Sequence, residues 1–334
     1  MNLFLAPLQG MTTACYRNAF ARIFGGVDAY YAPFIATADQ KKVSPQILKD
    51  LLPERNESIV KVIPQLLSNN GADFRTFSFA ISELGYNEIN WNIGCPFPMV
   101  TNKKKGSGIL PYTDIIKSFL DVVCADKSYS LTVKMRLGLH NPEEGLRVIE
   151  ILNEYPLGGV IIHARTGIQM YEGNVDLHSF EALASACKHE VTYNGDIFTY
   201  DDFKHIIMRY PSINNFMLGR GALSNPFLPA IIKGQTIQSS NKTTLIRQFH
   251  DEIYNYYKSV LSGEKHLCDK MKEFWIYMSV HLDNNGKLMK KIRKCHYSAD
   301  YLKIVEQTLN EAAVWSDSVI NSISKAVHAS PVKI

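Results

Sequence analysis

The sequence predicts a parallel (β/α)8 barrel followed by a small bundle of α-helices. Short β-rich runs alternate with helical stretches through the first 235 residues, and no β-rich run follows Pro229. Polar, glycine or reactive residues also follow directly after seven of the eight predicted strands. Eight strands separated by helices over this length fit a closed barrel better than an open doubly wound sheet, which is the structural alternative.

The elements of the barrel are predicted from hydrophobic periodicity and turn residues. The predicted strands are 3–6, 29–31, 59–64, 88–91, 131–135, 159–162, 191–193 and 215–218. The predicted helices between them include 72–84, 114–123, 142–155, 177–186 and 200–208. The second strand has the weakest pattern, because residues 34–58 show no clear period.

The chain is expected to divide into a catalytic barrel, residues 1–235, and a helical domain, residues 243–334. Residues 236–242 are rich in polar residues and are predicted to form the linker. In the helical domain, amphipathic patterns predict helices at 243–261, 265–282, 299–309 and 313–327, with turns at Gly263 and at 284–286.

Composition indicates an ordinary globular protein, with 46% hydrophobic and 20% charged residues. The six cysteines are scattered, and no secretion signal or long apolar run is present, so reduced thiols and a cytoplasmic location are expected. The net charge is +4. Residues 236–334 hold 14 Lys and Arg against 10 Asp and Glu, whereas residues 1–235 are balanced. The surplus in the C-terminal third points to an anionic partner.

Two glycine-containing clusters follow the last two predicted strands. Asn194, Gly195 and Asp196 come after the seventh strand, and Gly219 and Arg220 come after the eighth. Barrels commonly hold phosphate in these two loops, since glycine permits close backbone approach and arginine forms bidentate pairs with phosphate oxygens. The sequence therefore predicts a phosphate site here.

Three further strand ends carry reactive groups. Lys134 and His163 end the fifth and sixth strands, where each alone is more often a solvated lysine or a hydrogen-bonded core histidine. Cys95 lies beyond the fourth strand in NIGCPFP, and its thiol is expected to be mostly protonated at neutral pH and able to act as a general acid. No Cys/His cluster has metal-ligand spacing, so no metal site is predicted.

Six motifs occur in a specific order and spacing: APLQGMT, NIGCP, VKMRLG, HARTGIQMYEG, NGDI and MLGRGALSNP. Together they resemble the tRNA-dihydrouridine synthases over roughly residues 3–230, and the helical tail resembles the RNA-binding domain of that family in kind. Two positions depart from the family pattern: Ala164 stands where Gly is common, and Gly167 stands where a basic or polar residue is common.

The resemblance implies that FMN binds at the barrel mouth, with NADPH as the reductant. Cys95 would protonate C5 of uracil after hydride reaches C6 from the flavin. The residues that would line the flavin or touch its ring are Pro7, Leu8, Gln9, Gln65, Lys134 and His163. The residues that would hold the ribityl chain and phosphate are Asn194, Gly195, Asp196, Gly219 and Arg220.

The resemblance also implies contacts to RNA. Asn92, Arg136 and Tyr171 match positions that contact the flipped-out uridine. Two basic runs are expected to bind RNA phosphates, although such runs are usually solvated faces. The first is Lys103, Lys104 and Lys105, and the second is Lys287, Lys290, Lys291, Arg293, Lys294 and His296.

Other functions remain open from the sequence. An FMN barrel acting on a small molecule, like dihydroorotate dehydrogenase, would share the phosphate site but would have no use for the basic tail. A non-catalytic RNA-binding protein would have no need of Cys95, Lys134 and Arg220. The expected substrate is tRNA, with ribosomal RNA as the alternative; a monomer without membrane association is expected. The modified uridine position is not predicted.

Overall fold

The computed structural model of the protein describes residues 1–39, 42–282, 287–310 and 315–316. The strands are β1 (Asn2–Leu5), β2 (Ala29–Tyr31), β3 (Ile35–Ala36), β4 (Val62–Ile63), β5 (Gln65–Leu67), β6 (Glu88–Ile93), β7 (Ser130–Arg136), β8 (Gly159–His163), β9 (Val191–Asn194) and β10 (Asn215–Leu218). The helices are α1 (Ala14–Ile23), α2 (Gly71–Ser82), α3 (Pro98–Thr101), α4 (Thr113–Val123), α5 (Pro142–Leu152), α6 (Leu177–Ala186), α7 (Tyr200–Arg209), α8 (Arg220–Ser224), α9 (Leu228–Ile232), α10 (Ser239–Val260), α11 (Glu264–Met278), α12 (Lys287–Arg293) and α13 (Ser298–Asn310).

The strands close into a barrel in which every ladder is parallel. Starting from β1, the neighbouring strands in order are β10, β9, β8, β7, β6 and β5. The remaining seam has two parts, since β2 pairs with β4 and β3 pairs with β5. The segments β2 and β3 form one interrupted strand, and so do β4 and β5. The expected (β/α)8 barrel followed by helices is therefore confirmed.

One expected strand differs in its bounds. The prediction of a strand at 59–64 is wrong in detail, because pairing runs from Val62 to Leu67 and is interrupted at Pro64. Proline has no N–H to donate to a ladder. Its carbonyl still accepts a hydrogen bond from the backbone N–H of Asn90 at 2.8 Å, so the strand continues past it.

Side chains from several strands fill the barrel interior. The buried members of this core are Ala6, Ala29, Tyr31, Ile63, Ile161 and Met217, with Phe4 and Leu8 packed against them. The five residues of β8 are all buried, as expected for a parallel strand covered on both faces. This packing fixes the strand ends that carry the polar residues.

The chain divides into two compact units. The first comprises residues 1–9, 28–195 and 209–218, and it contains the whole barrel. The second comprises residues 10–27, 196–208 and those from 219 onward. The division expected from the sequence, with the barrel at 1–235 and the helical domain at 243–334, stays a prediction.

Aromatic side chains hold the second unit together. Helix α1 packs against α10, where Phe24 makes edge contacts with Phe227 and Phe249 at centroid distances of 5.1 and 5.0 Å. Deeper in the bundle, the hydroxyl of Tyr301 lies 2.7 Å from Nε2 of His250 and accepts the indole N–H of Trp275 at 2.9 Å. Pairing these buried polar groups avoids their desolvation penalty.

The helical segment follows the sequence prediction with three qualifications. Helix α10 begins at Ser239, so the expected linker at 236–242 is helical from that residue; polar residues are tolerated in a first helical turn. Helix α12 was not predicted. The expected turn at 284–286, and the expected helix at 313–327 apart from Trp315 and Ser316, lie outside the described residues. None of the helices in the described ranges is both long and apolar enough to cross a bilayer.

Adjacent glycines in the second unit offer a test of its packing. Gly25 and Gly26 both have positive φ values, +63° and +76°, but a Cβ on Gly26 would overlap the backbone of Ala230. A Cβ on Gly25 would meet none of the described residues within 4 Å. We expect Gly25→Ala to lower the free energy of unfolding by about 1 kcal/mol, from backbone strain alone.

Gly26→Ala should lower the free energy of unfolding by about 1–3 kcal/mol more than Gly25→Ala does, because overlap with the backbone is added to the strain. Urea denaturation of the two variants and the parent measures the difference. Equal losses in both variants would contradict the close contact with Ala230.

Candidate active site

The loop after β6 carries Cys95 and is fixed by the side chain of Asn92. The Oδ1 atom of Asn92 accepts hydrogen bonds from the backbone N–H groups of Gly94 and Cys95, at 3.0 and 2.9 Å. Three residues after Cys95, Pro98 begins α3. The chain is thus turned sharply at the carboxyl end of a central barrel strand, the end at which barrels place functional groups.

A second set of bonds holds Cys95 from the other side. Its carbonyl oxygen accepts the backbone N–H of Ser107 at 2.9 Å and the Ser107 hydroxyl at 3.1 Å. Gly106 has φ +56°, and a Cβ there would overlap the same carbonyl. Glycine is therefore required at this point of the loop.

A chain of buried amides connects Asn92 to the barrel interior. Asn92 donates to Gln65 at 2.8 Å, Gln65 donates to Asn90 at 2.7 Å, and Asn90 donates to the Thr132 hydroxyl at 2.9 Å. Gln65 is 1% exposed and Asn92 is 7% exposed. These two residues, expected at the flavin and the uridine respectively, help to position the Cys95 loop.

Arg136, expected to contact the substrate, connects two loops at the same end of the barrel. It is buried, and it donates to the carbonyl of Gly94 at 3.0 Å and to that of Thr166 at 2.7 Å. Its guanidinium group also lies 5.2 Å from the ring centre of Tyr171. The loop with Cys95 and the loop with Tyr171 are therefore connected through one permanent positive charge.

Burial controls the ionisation of two groups near Cys95. Desolvation raises the pKa of the Cys95 thiol above its ordinary value, although the N–H of Phe97 and the charges of Arg136 and Lys134 oppose this. Desolvation and the charge of Arg136 lower the pKa of Lys134 to about 7, against the effect of Cys95. The thiol is therefore neutral at pH 7, while Lys134 takes up or releases a proton near that pH.

The loop after β8 is organised by Arg165, a residue that the sequence analysis did not assign to the site. Arg165 donates to the carbonyls of Glu172 and Gly173 at 3.2 and 2.6 Å, and it lies 3.5 Å from Nε2 of His163. The rings of His163 and Tyr171 are 6.3 Å apart. Arg165 thus holds the two expected site residues, His163 and Tyr171, in one cluster. No signal in the sequence indicates this role, because the partners of the guanidinium group are backbone carbonyls.

Three of the residues expected at the phosphate, Asn194, Asp196 and Arg220, have side-chain partners within their own units. In the barrel unit, Asn194 donates to the carbonyl of Met217 at 2.8 Å, and Gly195 has φ +152°. In the second unit, Arg220 donates to Asp196 at 2.8 Å. Gly219 precedes α8, a helix of only 5 residues. Their assignment to a phosphate stays a prediction.

The first basic run is not uniformly solvated. Lys103 and Lys104 are exposed, and Lys104 lies 4.2 Å from the ring centre of Tyr112. The ammonium group of Lys105 instead donates to the carbonyl of Thr37 at 3.0 Å. Desolvation lowers the pKa of Lys105. Two of the three lysines are thus available for an anion, and the third holds its own loop in place.

The second basic run forms an exposed face on α12 and the residues that follow it. Leu288 and Ile292 are buried, whereas all six of the expected basic residues are exposed: Lys287, Lys290, Lys291, Arg293, Lys294 and His296. A helix with one apolar stripe presents its opposite face to the solvent. This face is suited to a polyanion.

Among the residues of the first barrel loop, Gln9 has an unused polar atom. Its side-chain oxygen Oε1 is buried and accepts no hydrogen bond from the described residues. Such atoms normally have a partner in the functional protein. Pro7 and Leu8 precede it directly. This carbonyl oxygen is therefore a candidate acceptor for a ligand N–H.

Together, the parallel barrel and a thiol loop at its mouth define a (β/α)8-barrel enzyme. Among solved structures, the chain is similar to the old yellow enzyme homologue from Zymomonas mobilis, with a TM-score of 0.52, 10% identity and coverage of 71% of this chain and 90% of that one. It is also similar to morphinone reductase in complex with tetrahydroNAD, with a TM-score of 0.51, 9% identity and coverage of 71% and 88%. At these identities the likeness concerns the fold alone.

The family model described as Dihydrouridine synthase (Dus) matches residues 4–314, so this chain belongs to the dihydrouridine synthase family. It is a flavin-dependent oxidoreductase. One relative is the tRNA-dihydrouridine synthase B of Pasteurella multocida, 24% identical over 80% of this chain and 82% of the relative. Another is the tRNA-dihydrouridine(16) synthase of Vibrio parahaemolyticus, 23% identical over 93% and 97%. The family expected from the six motifs is confirmed.

The role of Asn92 can be tested through stability. Asn92→Ala removes the acceptor for two backbone N–H groups and the donor to Gln65, which are buried or partly buried. We expect the free energy of unfolding to fall by at least about 2 kcal/mol, since an unsatisfied buried polar group costs about 1–3 kcal/mol. Urea denaturation measures this loss.

Asn92→Asp, which keeps the acceptor oxygens, should recover part of the stability. The matched control is Asn87→Ala, because the side chain of Asn87 is exposed. A loss in Asn92→Ala no larger than that in the control would show that the amide does not hold the loop.

Proposed function

We propose that this chain reduces the C5–C6 double bond of specific uridines in tRNA to dihydrouridine. Membership of the dihydrouridine synthase family supports the reaction, and the names of its relatives support tRNA as the substrate. The observation that carries the proposal is the neutral, buried thiol of Cys95, fixed at the barrel mouth by Asn92 and Ser107.

The proposed reaction requires a proton donor, and Cys95 can serve as one. Saturating the double bond adds a hydride at C6 and a proton at C5 of the base. A thiol that is neutral at pH 7 can donate that proton. The resulting thiolate is stabilised by the charges of Arg136 and Lys134, both of which favour the ionised thiol, and a proton from the solvent then restores it.

The residues at the barrel mouth fit a flavin, which we propose to be FMN. Gln9 Oε1 offers an unused buried acceptor for a ring N–H, and Lys134 lies among the described residues without an acidic partner. Anionic charge beside Lys134 would be stabilised by its ammonium group. FMN supplies the hydride for C6 when it is bound, and NADPH is proposed as its reductant.

The remaining site residues are assigned by the same proposal. Pro7, Leu8, Gln65 and His163 would line the flavin, and Asn92, Arg136 and Tyr171 would form the wall that faces the uridine. Two of the five N–H groups of Arg136 bind backbone carbonyls and fix the guanidinium group beside the ring of Tyr171. A monomeric state and a cytoplasmic location stay predictions from the sequence.

Contacts to RNA are proposed at the two basic runs. Lys103 and Lys104 are exposed and lie in the loop that follows Cys95. In the second unit, the exposed face of α12 carries Lys290, Lys291 and Arg293. Phosphate contacts of this kind position an RNA without reading its sequence. The positions of these charges therefore do not predict which uridine is reduced.

Replacing Cys95 tests the proton-donor role. We expect Cys95→Ala to retain its flavin absorbance while dihydrouridine formation in tRNA falls by about 100-fold or more, because a positioned general acid contributes at least that much. The matched control is Cys187→Ala, which removes a partly exposed thiol that follows α6 and should leave activity unchanged.

Mapping of dihydrouridine in tRNA and ribosomal RNA completes this test, with a deletion strain complemented by the parent or by either variant. The parent and Cys187→Ala should restore the lost tRNA sites, and Cys95→Ala should not. Restoration by Cys95→Ala would exclude the proton-donor role, and loss of dihydrouridine from ribosomal RNA alone would exclude tRNA as the substrate.

The basic face of α12 can be tested by the salt dependence of binding. For the double variant Lys290→Ala/Lys291→Ala, we expect weaker tRNA binding and a plot of log K against log salt that is shallower by about 2, since each lost phosphate contact removes about one unit of slope. Filter binding at several salt concentrations measures this slope.

Lys188→Ala, which removes an exposed lysine of the barrel unit, is the control and should leave the slope unchanged. A double variant with the parent slope would show that this face does not contact the RNA.

A further inference from the structure

The barrel unit contains a cavity of about 430 Å³ at the N-terminal ends of its strands, the end opposite to Cys95. Its apolar lining belongs to the interior core of the barrel and includes Phe4, Tyr31, Ile63 and Ile161. The rings of Phe4 and Tyr31 are 5.8 Å apart. No part of the proposed reaction uses this cavity, whose volume lies within the range of small-molecule sites, about 300–1,000 Å³.

The charged residues of the cavity are mostly acidic, although the whole chain has a net charge of +4. Three carboxylates line it, from Asp28, Glu88 and Glu190, against the single ammonium group of Lys61. Lys61 lies 3.6 Å from Glu88, but its side chain is 66% exposed. Glu190 forms no ion pair within the described part of the chain. The cavity therefore favours a cation.

A hydroxyl that lines the cavity also has no hydrogen bond from the described residues. Thr192 lines the cavity and is 4% exposed. It is in register with Ile161 on β8 and with Asn215 on β10, which line the same cavity, so its side chain faces the barrel interior. The described residues provide no hydrogen bond to this hydroxyl. The hydroxyl is therefore free to form a hydrogen bond with a polar group of a ligand in the cavity.

The spacing of the acids argues against a metal ion. In the described ranges, no three His, Cys, Asp or Glu side chains are close enough together to hold one. The carboxylates are distributed around a wide cavity that also presents two aromatic rings, against which an aliphatic chain can pack. We propose that this cavity binds a primary ammonium group carried on a short aliphatic chain, with the ammonium at the carboxylates and the chain along Phe4 and Tyr31.

Calorimetric titration of the purified full-length protein with 1,4-diaminobutane tests the proposal. The diamine should bind, and 1,4-butanediol, which has the same length without the charges, should bind at least about tenfold more weakly. Glu190→Gln should weaken diamine binding about tenfold, because it removes a charge-assisted hydrogen bond. Absence of diamine binding, or equal binding of the diol, would overturn the proposal.

Two further variants separate the cavity from general surface charge. Thr192→Val keeps the shape of the side chain but removes the unpaired hydroxyl, and it should weaken binding about fivefold. Glu150→Gln removes an exposed carboxylate on α5 outside the cavity and should leave binding unchanged. If Glu150→Gln weakens binding as much as Glu190→Gln does, or if Thr192→Val binds like the parent, the diamine does not occupy this cavity.

Discussion

One side-chain oxygen, Oδ1 of Asn92, holds the loop on which the site depends. It accepts the N–H groups of Gly94 and Cys95 together, so the backbone that carries the thiol cannot shift without breaking both bonds. Asn92 is itself fixed through Gln65, Asn90 and Thr132. These residues lie on β5, β6 and β7, which pair in register. The backbone position of a reactive residue is thus determined by the register of the sheet.

Close backbone approach is the second constraint on this region. The Ser107 hydroxyl that holds the carbonyl of Cys95 lies against Gly167, where a Cβ would be 2.6 Å from it. The resemblance had suggested a basic or polar residue at position 167. In this chain, a side chain there would displace Ser107 and so disturb Cys95. The departure from the family pattern is therefore accommodated by the contact between the two loops.

The sequence was sufficient for the barrel, because strand pattern and strand-end residues recur with each β/α unit. It was not sufficient for the helix α12, since a run of lysines hid the apolar positions Leu288 and Ile292, which are four residues apart. In the site, Cys95 could be singled out from its flanking glycine and proline. The structural roles of Arg165 and Arg136 could not be predicted, because both side chains bind backbone carbonyls. Every residue has a backbone carbonyl, so the residue types do not indicate which ones are bound.

The same burial acts in opposite directions on the two ionisable groups beside the loop. A charged form is disfavoured whichever sign it has, so the pKa of the Cys95 thiol rises while the pKa of Lys134 falls to about 7. Lys134 is largely neutral above that pH, and the charge that persists near the thiol is therefore that of Arg136. Loss of the thiol proton would create a negative charge, which in turn favours protonation of Lys134. The pair can thus keep the local charge nearly constant through a proton transfer, and the burial of both groups favours such an arrangement.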